Sequence, residues 1–453
     1  MDLFEEAEFA PKKKKKEKKK MQLTTILIIF IVILLILCVL IFGAIVYLKS
    51  TIFILKVDGK ESQTVYDMMI AEENDAKFPI KQIAKSLGYE SYGGNYETMS
   101  EDENKCYVKN DYEVTMITAD SNKIYQLSLE NTNSTKEKVE LNAVITKENG
   151  DFYTNIEGIE KIFNVYIAYT PKKSLTIQTL DTLYESYTKY YQKQYTFPKE
   201  ESYANKKLIL DDLLIVQNPT TNLYGVLEFT EGKAQELLDT KYDGIEYLRN
   251  YSTFLVTKNN KQGIIDMNKK NVLEIEYNKI STIQSDDKKY YLVSKSGLMG
   301  LNDESGKIII YPEYDDIGID KSEFEKNQVT NNYILYDKYI PVCQNKKWAL
   351  FDIEGNNMTG FKYDSFGSST TTKGTSNVLL VPDYKLIVVK SDKKYNFLYD
   401  YENPSDIELF SSFELDSVYL MIQNGKINYY FTLNDENIEI SGYLEQHGIK
   451  KVE

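Results

Sequence analysis

The stretch that decides the fold lies in the second half of the chain and reads YYLVSKSGLMGLNDESGKIIIYPEYDD, residues 290–316. It holds an apolar strand, a short polar turn and a second apolar strand that contains Gly300. The same hairpin recurs along the chain, aligned on the last apolar residue before each turn. The six first strands are Leu213–Val216, Phe254–Val256, Tyr290–Val293, Tyr339–Val342, Leu386–Val389 and Tyr419–Ile422. Repeats of this kind set the architecture, and their surfaces usually bind rather than catalyse.

Two landmarks follow the aligned strands. The first is a small residue in the second strand, and its copies are Gly225, Gly263, Gly300, Ala349, Asn396 and Asn428. The second lies further on, at Tyr242-Asp243, Tyr277-Asn278, Tyr314-Asp315 and Tyr363-Asp364. A lone hairpin cannot bury one face in water, so the copies must stack on one another. We predict an all-β repeat array over residues 209–453, and a six-bladed propeller or an open, curved array of hairpins would both satisfy the spacing.

This pattern resembles the WG-repeat family, in which Trp or Tyr followed by Gly opens a strand and Tyr-Asp closes the unit. The matching dipeptides are Tyr224-Gly225, Gln262-Gly263, Met299-Gly300 and Trp348-Ala349. Copies five and six diverge, as terminal copies that cap an array often do. The repeat signature is assigned a structural role and comprises Tyr224, Gly225, Gly263, Gly300, Trp348, Tyr242, Tyr277, Tyr314 and Tyr363.

The N-terminus carries a basic segment before an apolar run. Lys12–Lys16 and Lys18–Lys20 precede Leu23–Leu48, which at about 1.5 Å per residue is long enough to cross a hydrocarbon core of about 30 Å. We therefore expect a cytoplasmic polybasic tail at 1–20 and a single transmembrane helix at 21–48 within the lipid bilayer. The positive-inside rule then predicts a single-pass protein of the cell membrane, with its C-terminal ectodomain outside the cytoplasm.

Between the run and the repeats, helical and strand periods alternate. Ile80, Ile83, Ala84 and Leu87 have helical spacing and precede Gly88, a residue suited to a left-handed cap. A second such segment carries Ile156, Ile159 and Phe163 before Asn164, and alternating apolar residues follow both segments. Period 2 after period 3.6 predicts a small α+β domain over residues 55–180.

At these residues the chain resembles the copper amine oxidase N-terminal-like domain, a stalk module common in bacterial surface proteins. The match rests on Phe78-Pro79-Ile80, Leu87-Gly88-Tyr89 and, more loosely, Phe163-Asn164-Val165. The resemblance implies a spacer or binding stalk. Copper amine oxidase catalysis belongs to another domain and needs several histidines, whereas this chain has only His447. We therefore predict no cofactor, no metal site and no catalytic residue.

A tyrosine-rich helical connector is predicted at residues 181–208. Its tyrosines share one face of a helix and are Tyr184, Tyr187, Tyr190, Tyr191 and Tyr195. Such a face suits glycan stacking or packing against a flanking domain, and the sequence leaves both open.

The charge, the cysteines and the paired carboxylates limit the classes of function that this chain can have. Acidic groups outnumber basic ones, 68 to 54, which opposes nucleic-acid binding. Cys106 and Cys343 fall in different predicted domains, so no intradomain disulfide is expected. Asp315-Asp316 and Asp211-Asp212 invite comparison with a glycosidase pair, but their positions suit turn chemistry.

The sequence therefore predicts a membrane-anchored, extracytoplasmic binding protein that uses its β-repeat surface and is not an enzyme. Its predicted partner is a cell-wall polymer or a surface protein. Two alternatives remain, a surface glycan hydrolase and a scaffold or sensor subunit of a membrane complex.

Overall fold

The structure is a computed structural model whose described residues form two compact units, divided between Glu185 and Ser186. The described ranges are 30–42, 54–62, 76–93, 102–129, 137–171, 174–198, 203–230, 233–285, 288–324, 331–370, 373–399, 408–410, 412–423 and 425–452.

The predicted transmembrane helix at 21–48 is wrong. Across the described ranges, no helix combines the length and the apolar character that a membrane span requires. The predicted localisation as a single-pass membrane protein depended on this helix and is therefore also wrong. The polybasic tail at 1–20 lies outside the described residues.

The first unit is an α+β structure. Its described strands form a four-stranded, a three-stranded and a five-stranded sheet. In sheet order, their bounds are Tyr166–Thr170, Ser174–Gln178, Ile54–Val57 and Lys60–Glu61; Phe78–Pro79, Asp151–Thr154 and Thr146–Glu148; and Glu90–Gly93, Lys105–Lys109, Glu113–Thr118, Lys123–Ser128 and Glu137–Glu140. A hydrophobic core joins all three sheets to the helices Ile80–Leu87 and Ile156–Phe163.

Both helices of this core end as the sequence predicted. The first ends at Gly88, with φ of 78°, and the second at Asn164, with φ of 51°. These left-handed residues turn the chain back toward the sheets, because their N–H groups bond to carbonyls of the last helical turn. A third helix, Leu180–Tyr191, crosses the division between the units.

In the described part of the second unit, the strands form six antiparallel sheets, which we number 1 to 6 along the chain. In sheets 2 and 3, which have four strands each, the strands are lettered A, B, C and D in chain order. A strand of another sheet takes the letter of the strand to which it corresponds. Sheet 1 (B, C, D) has Leu213–Gln217, Tyr224–Thr230 and Lys233–Tyr242; sheet 2 (A–D) has Gly244–Leu248, Thr253–Lys258, Lys261–Asp266 and Asn271–Tyr277; and sheet 3 (A–D) has Lys279–Ser285, Lys288–Lys295, Leu298–Asp303 and Ile308–Tyr314. Sheet 4 (A, B, C) has Asp316–Ile317, Tyr339–Gln344 and Lys347–Asp352; sheet 5 has Ser365–Phe366 (A), Leu380–Val381 (unlettered), Leu386–Ser391 (B) and Lys394–Tyr399 (C); and sheet 6 (A, B, C) has Ser417–Gln423, Lys426–Leu433 and Glu436–Glu439. The short helices are Tyr203–Lys207, Leu208–Asp211, Arg249–Tyr251, Lys321–Glu323, Pro382–Tyr384 and Ile440–Gln446.

The predicted β-repeat array is thus confirmed, and its core lies between successive sheets. Leu238 of sheet 1 shares a cluster with Phe254 of sheet 2, and Leu301 of sheet 3 shares one with Val342 of sheet 4. Each sheet buries its faces against its neighbours, which explains why the unit repeats. Among the described residues, no core cluster joins sheet 6 to sheet 1.

One residue separates strand A of each following sheet from the last residue that pairs with strand C of the sheet before it, which in sheets 4 and 5 is the isolated bridge residue Tyr363 or Leu415. We call these residues the corner residues, and they are Asp243, Asn278, Asp315, Asp364 and Asp416. The corner N–H donates to strand B of the following sheet, as Asp243 N does to the Thr257 carbonyl at 2.8 Å. The Asp of the predicted Tyr-Asp landmark therefore joins two sheets.

The corner residues also correct the sixth copy. Asp416 N donates to the carbonyl of Thr432, at 2.8 Å, so Lys426–Leu433 is strand B. The predicted first strand Tyr419–Ile422 lies in strand A instead, and the residue in the glycine position is Ile438, not Asn428. The two hairpins of one sheet look alike in sequence, because both are apolar strands around a short turn.

Candidate functional site

The repeated glycines lie where two backbones approach each other. Gly225, Gly263 and Gly300 are in strand C, opposite a valine of strand B and beside a bulge in the pairing with strand D. A Cβ atom at Gly300 would lie 2.7 Å from the Pro312 nitrogen and 2.8 Å from the Ile310 carbonyl oxygen. No side chain fits there, so the Gly of the signature is a packing requirement.

The same register position is occupied differently in sheets 4 and 5. Ala349 and Asn396 face Val342 and Val389. Asn396 is fully buried, its Nδ2 donates to the Phe410 carbonyl at 2.9 Å, and its Oδ1 accepts from Phe410 N at 3.1 Å. The amide therefore makes the hydrogen bonds that a strand D would otherwise supply.

The aromatic signature residues lie at the joints between sheets. Tyr224, Gln262, Met299 and Trp348 pair in register with Tyr242, Tyr277, Tyr314 and Tyr363, in that order. The Tyr363 hydroxyl donates to Glu408 Oε1 at 2.9 Å, and burial is the first cause that raises its pKa far above the ordinary value. These residues hold neighbouring sheets together and do not converge on one site.

The B–C turns form one end of the array, which we call the locked end. In sheets 2 to 6 both residues of each turn have positive φ, as a tight hairpin requires. The corner side chain accepts from the N–H of the first turn residue, with donor–acceptor distances of 2.5 Å at Asp243, 2.8 Å at Asn278, 2.6 Å at Asp315 and 2.8 Å at Asp364. Asp315 is thus a turn clamp, and Asp211 pairs with Arg249 at 2.8 Å. Of the carboxylates that invited a glycosidase comparison, Asp315 therefore holds a turn and Asp211 forms an ion pair.

We expect the clamp at Asp364 to give the array a measurable acid sensitivity. Lys347 is the first cause that lowers the pKa of Asp364, followed by the Asp392 N–H. A lowered folded-state pKa stabilises the fold above the unfolded value of about 4, and this stabilisation is lost as pH falls through the folded value. Asp364→Ala should lower the free energy of unfolding at pH 7 by about 1–2 kcal/mol.

Asp364→Asn is the matched control for that prediction, because an amide keeps the bond to the Asp392 N–H and loses only the ion pair with Lys347. Its smaller loss at pH 7 should shrink toward zero at pH 3 in urea titrations. A loss that does not change with pH would contradict an ionic contribution. The side chains are about 40% exposed, so the effect should also fall with added salt.

The C–D turns and the A–B connections form the opposite end, which we call the variable end. Asp303 Oδ1 accepts from the N–H groups of Ser305, at 2.9 Å, and Lys307, at 3.0 Å. Asp352 makes equivalent bonds to the N–H groups of Glu354 and Asn356, so its faintly calcium-loop-like stretch is a hairpin turn. These side chains already accept backbone donors of their own turns.

Two A–B connections are long, which accounts for the wider spacing of the fourth and fifth copies. They begin at Gly318 and Gly367, where φ is 92° and 82°. A Cβ at Gly367 would lie 2.4 Å from the Phe324 ring, because the insertion of sheet 4 packs over the start of the insertion of sheet 5. Insertions in repeat arrays often collect on the binding face.

A groove of about 380 Å³ lies at the variable end between sheets 3 and 4. Ile308, Ile309 and Ile353 form its apolar part, and Tyr290 is buried beneath. Its charged lining residues are Lys288, Lys289, Asp303, Glu304, Lys307 and Glu354. Burial is the main cause that raises the pKa of Tyr290, and Asp337, Asp303 and Glu354 add to it. Sequence reasoning missed this groove, because its walls come from turns of different copies.

The remaining candidate residues are the histidine and the cysteine, and neither lies in an arrangement that indicates a site. The lone His447 is exposed, and its Nδ1 lies 2.8 Å from the Tyr443 carbonyl oxygen. Burial raises the pKa of the Cys106 thiol to about 11, which suppresses the thiolate. Within the described ranges, no cluster of His, Cys, Asp or Glu is arranged to hold a metal ion.

The tyrosine face of the connector packs against sheet 1. The Tyr187 and Tyr191 rings lie 4.6 and 5.7 Å from the Phe229 ring, and the Tyr195 hydroxyl donates to Glu236 Oε1 at 2.8 Å. Tyr190 is 76% exposed. Of the two interpretations of this face, the contacts of Tyr187 and Tyr191 favour packing.

Comparison with protein families identifies one segment. Residues 299–324 match the family described as WG containing repeat, which confirms the WG-repeat resemblance there. The segment runs from strand C of sheet 3 into the insertion of sheet 4 and includes most of the groove's turn residues. The copper amine oxidase N-terminal-like resemblance and a bacterial origin stay predictions. No curated relative matches the chain.

Several solved structures show a distant similarity. BBS1N, in complex with ARL6DN, is 11% identical over 73% of this chain and 86% of that chain, with a TM-score of 0.20. Hsv2p of Kluyveromyces lactis is 9% identical over 78% and 98%, with a TM-score of 0.20. PorZ, a surface component of the type-IX secretion system of Porphyromonas gingivalis, is 10% identical over 74% and 37%, with a TM-score of 0.16. Similarities this distant carry no argument about function.

Proposed function

We propose that this chain is a non-catalytic binding protein whose groove between sheets 3 and 4 takes an extended peptide segment of a protein partner. The main support for this proposal is the composition of the groove. Its apolar floor is ringed by Lys288, Lys307, Glu304 and Glu354, none of which forms an ion pair with a described residue. Charges of both signs around an apolar floor suit a peptide, which presents apolar and charged side chains in alternation along a strand.

The contrast between the two ends of the array supports this proposal. At the locked end, the two-residue turns of sheets 2 to 5 are all clamped by corner side chains and vary little from copy to copy. At the variable end, two insertions and the groove interrupt the repeat. A rigid scaffold that presents variable connections at one end is the usual plan of a binding protein.

A displayed library of random twelve-residue peptides tests the proposal. Peptides selected on the unmodified chain should bind saturably. Ile308→Asp, which puts a charge on the apolar floor, should weaken them at least tenfold. Ile308 is 39% exposed, so the variant should fold. Ile422→Asp is the matched control, since Ile422 is an exposed isoleucine of sheet 6 outside the groove, and it should leave binding unchanged.

The proposal would be refuted if no peptide bound saturably, or if every selected peptide bound the Ile308→Asp variant as tightly as the unmodified chain. Purified wall polymer, measured in the same assay, tests the other predicted partner. Polymer binding that is lost in Ile308→Asp would replace the peptide as the proposed occupant of the groove.

A further inference from the structure

A second site lies at the other end of the chain, where residues 449–452, which we call the strap, return across the insertion of sheet 5. The strap is held mainly at Asp383. Lys451 Nζ lies 2.9 Å from Asp383 Oδ2, and Val452 N donates to the Asp383 carbonyl at 2.8 Å. The Lys451 ammonium is also 5.8 Å from the centroid of the Tyr384 ring. The Asp383 carboxylate and the Tyr384 ring therefore contact Lys451, and the Asp383 carbonyl accepts a hydrogen bond from Val452.

A small polar pocket lies beside these contacts. It has a volume of about 110 Å³, and Tyr384, Asn428, Glu439, Ser441 and Lys451 are among its lining residues. Tyr384 is only 2% exposed, and its hydroxyl interacts with the Glu445 carboxylate. The pocket has room for a further polar group or for water.

The electrostatics at Tyr384 agree with a cation site. Burial is the main cause that raises the pKa of the Tyr384 hydroxyl, Lys451 opposes the rise, and Glu445 and Asp383 add to it. Without Lys451, the charged groups that face the ring are the carboxylates Asp383, Glu439 and Glu445. An ammonium group is the natural complement of carboxylates beside the face of a tyrosine.

We propose that Asp383 and Tyr384 form a recognition site for a lysine side chain, which Lys451 occupies in this chain and which a lysine of a protein partner takes by displacing the strap. Ile449 anchors the start of the strap in the core, but the contact of Lys451 with Asp383 is loose. The side chains of Lys451 and Asp383 are 54% and 60% exposed, and ion pairs between exposed groups contribute little to stability. A competing lysine segment in trans can therefore replace Lys451 without disturbing the packed sheets. This inference does not depend on the groove.

Peptide binding in trans tests the proposal, with fluorescence anisotropy as the readout. The probe is labelled Gly-Ile-Lys-Lys-Val-Glu, the sequence of residues 448–453, and its control has norleucine in place of Lys451. Lys451→Gln empties the site in the full chain. This variant should bind the lysine peptide two- to fivefold more tightly than the unmodified chain does, and it should not bind the norleucine peptide. Adding Asp383→Asn to Lys451→Gln should remove the gain.

The inference is overturned if Lys451→Gln binds the lysine peptide no more tightly than the unmodified chain, or if the norleucine peptide binds equally well. Lys451 is an exposed residue, so thermal unfolding of Lys451→Gln should match that of the unmodified chain. If the Asp383→Asn variant does not fold, Lys451→Gln and the two peptides alone decide the outcome.

Discussion

Replacing Gly306 with alanine should strongly destabilise the repeat array, although the change adds only one methyl group. Gly306 lies in the C–D turn of sheet 3 with φ of 87°. A Cβ at this position would lie 2.1 Å from the carbonyl oxygen of Val272, in strand D of sheet 2. Left-handed backbone and collision with a neighbouring strand act together, and we expect a loss of about 3–5 kcal/mol in the free energy of unfolding.

Gly297→Ala separates the two causes. Gly297 has nearly the same φ, 86°, but no atom lies within 4 Å of its added Cβ. It should therefore lose only the conformational part, about 1–2 kcal/mol. Urea unfolding can be followed by the fluorescence of the single tryptophan, Trp348, which lies in sheet 4. Equal losses for the two variants would show that the turn of sheet 3 does not pack on strand D of sheet 2.

The same contact recurs one sheet further on. Gly355 has φ of 90°, and its added Cβ would lie 2.1 Å from the carbonyl oxygen of Ile309 in strand D of sheet 3. The recurrence indicates that the turns after strand C in sheets 2 to 4 pack on strand D of the sheet before. In sheet 2, the corresponding turn residue Lys269 has φ of 67°, and its Nζ donates to the carbonyl of Glu236 in strand D of sheet 1 at 3.1 Å.

Exchanging the residues at one register position should be costly in both directions. Gly300→Asn puts an amide against the backbone of Ile310 and Pro312, and we expect a loss of about 2–4 kcal/mol. Asn396→Gly leaves the N–H and carbonyl groups of Phe410 without their partner. Buried polar groups without hydrogen bonds cost about 1–3 kcal/mol each, so a loss of about 2–4 kcal/mol is expected for this variant too.

Ala349→Gly is the control for this exchange. Ala349 holds the same register position in sheet 4, where strand C pairs only through isolated bridges beyond its strand B partner. It should lose about 0.5–1 kcal/mol, the ordinary difference between alanine and glycine. If Asn396→Gly lost no more than Ala349→Gly, the Asn396 amide would not be replacing a strand.

Much of the fold could be predicted because its determinants are local. The caps at Gly88 and Asn164 follow from residue types that accept left-handed backbone, and the hairpins follow from apolar alternation around short turns. The assignment of Tyr419–Ile422 failed because pattern alone does not distinguish the two hairpins of one sheet. The predicted span at 21–48 failed because hydropathy records the composition of a run and not the helix it forms, and no helix within the described ranges is both long and apolar enough to span a membrane.

The candidate sites could not be predicted in the same way. The groove brings Lys288 and Lys307 of sheet 3 beside Glu354 of sheet 4, and nothing in the spacing of these residues relates them. The site at Asp383 depends on Lys451, which is 68 residues away in sequence. Both are products of how separate turns and connections meet in space.

The repeated hairpins of this protein, with a glycine and a Tyr-Asp pair in successive copies, are evident from local sequence pattern alone. They are evident there because turn chemistry and period-2 alternation are properties of a few adjacent residues. The reason why those residues recur emerges from their contacts in space, because Gly300 lies beneath a neighbouring backbone and Asp364 clamps a turn of the next sheet. The groove proposed here as a peptide site also depends on tertiary structure, because a groove between sheets exists only once the sheets have stacked.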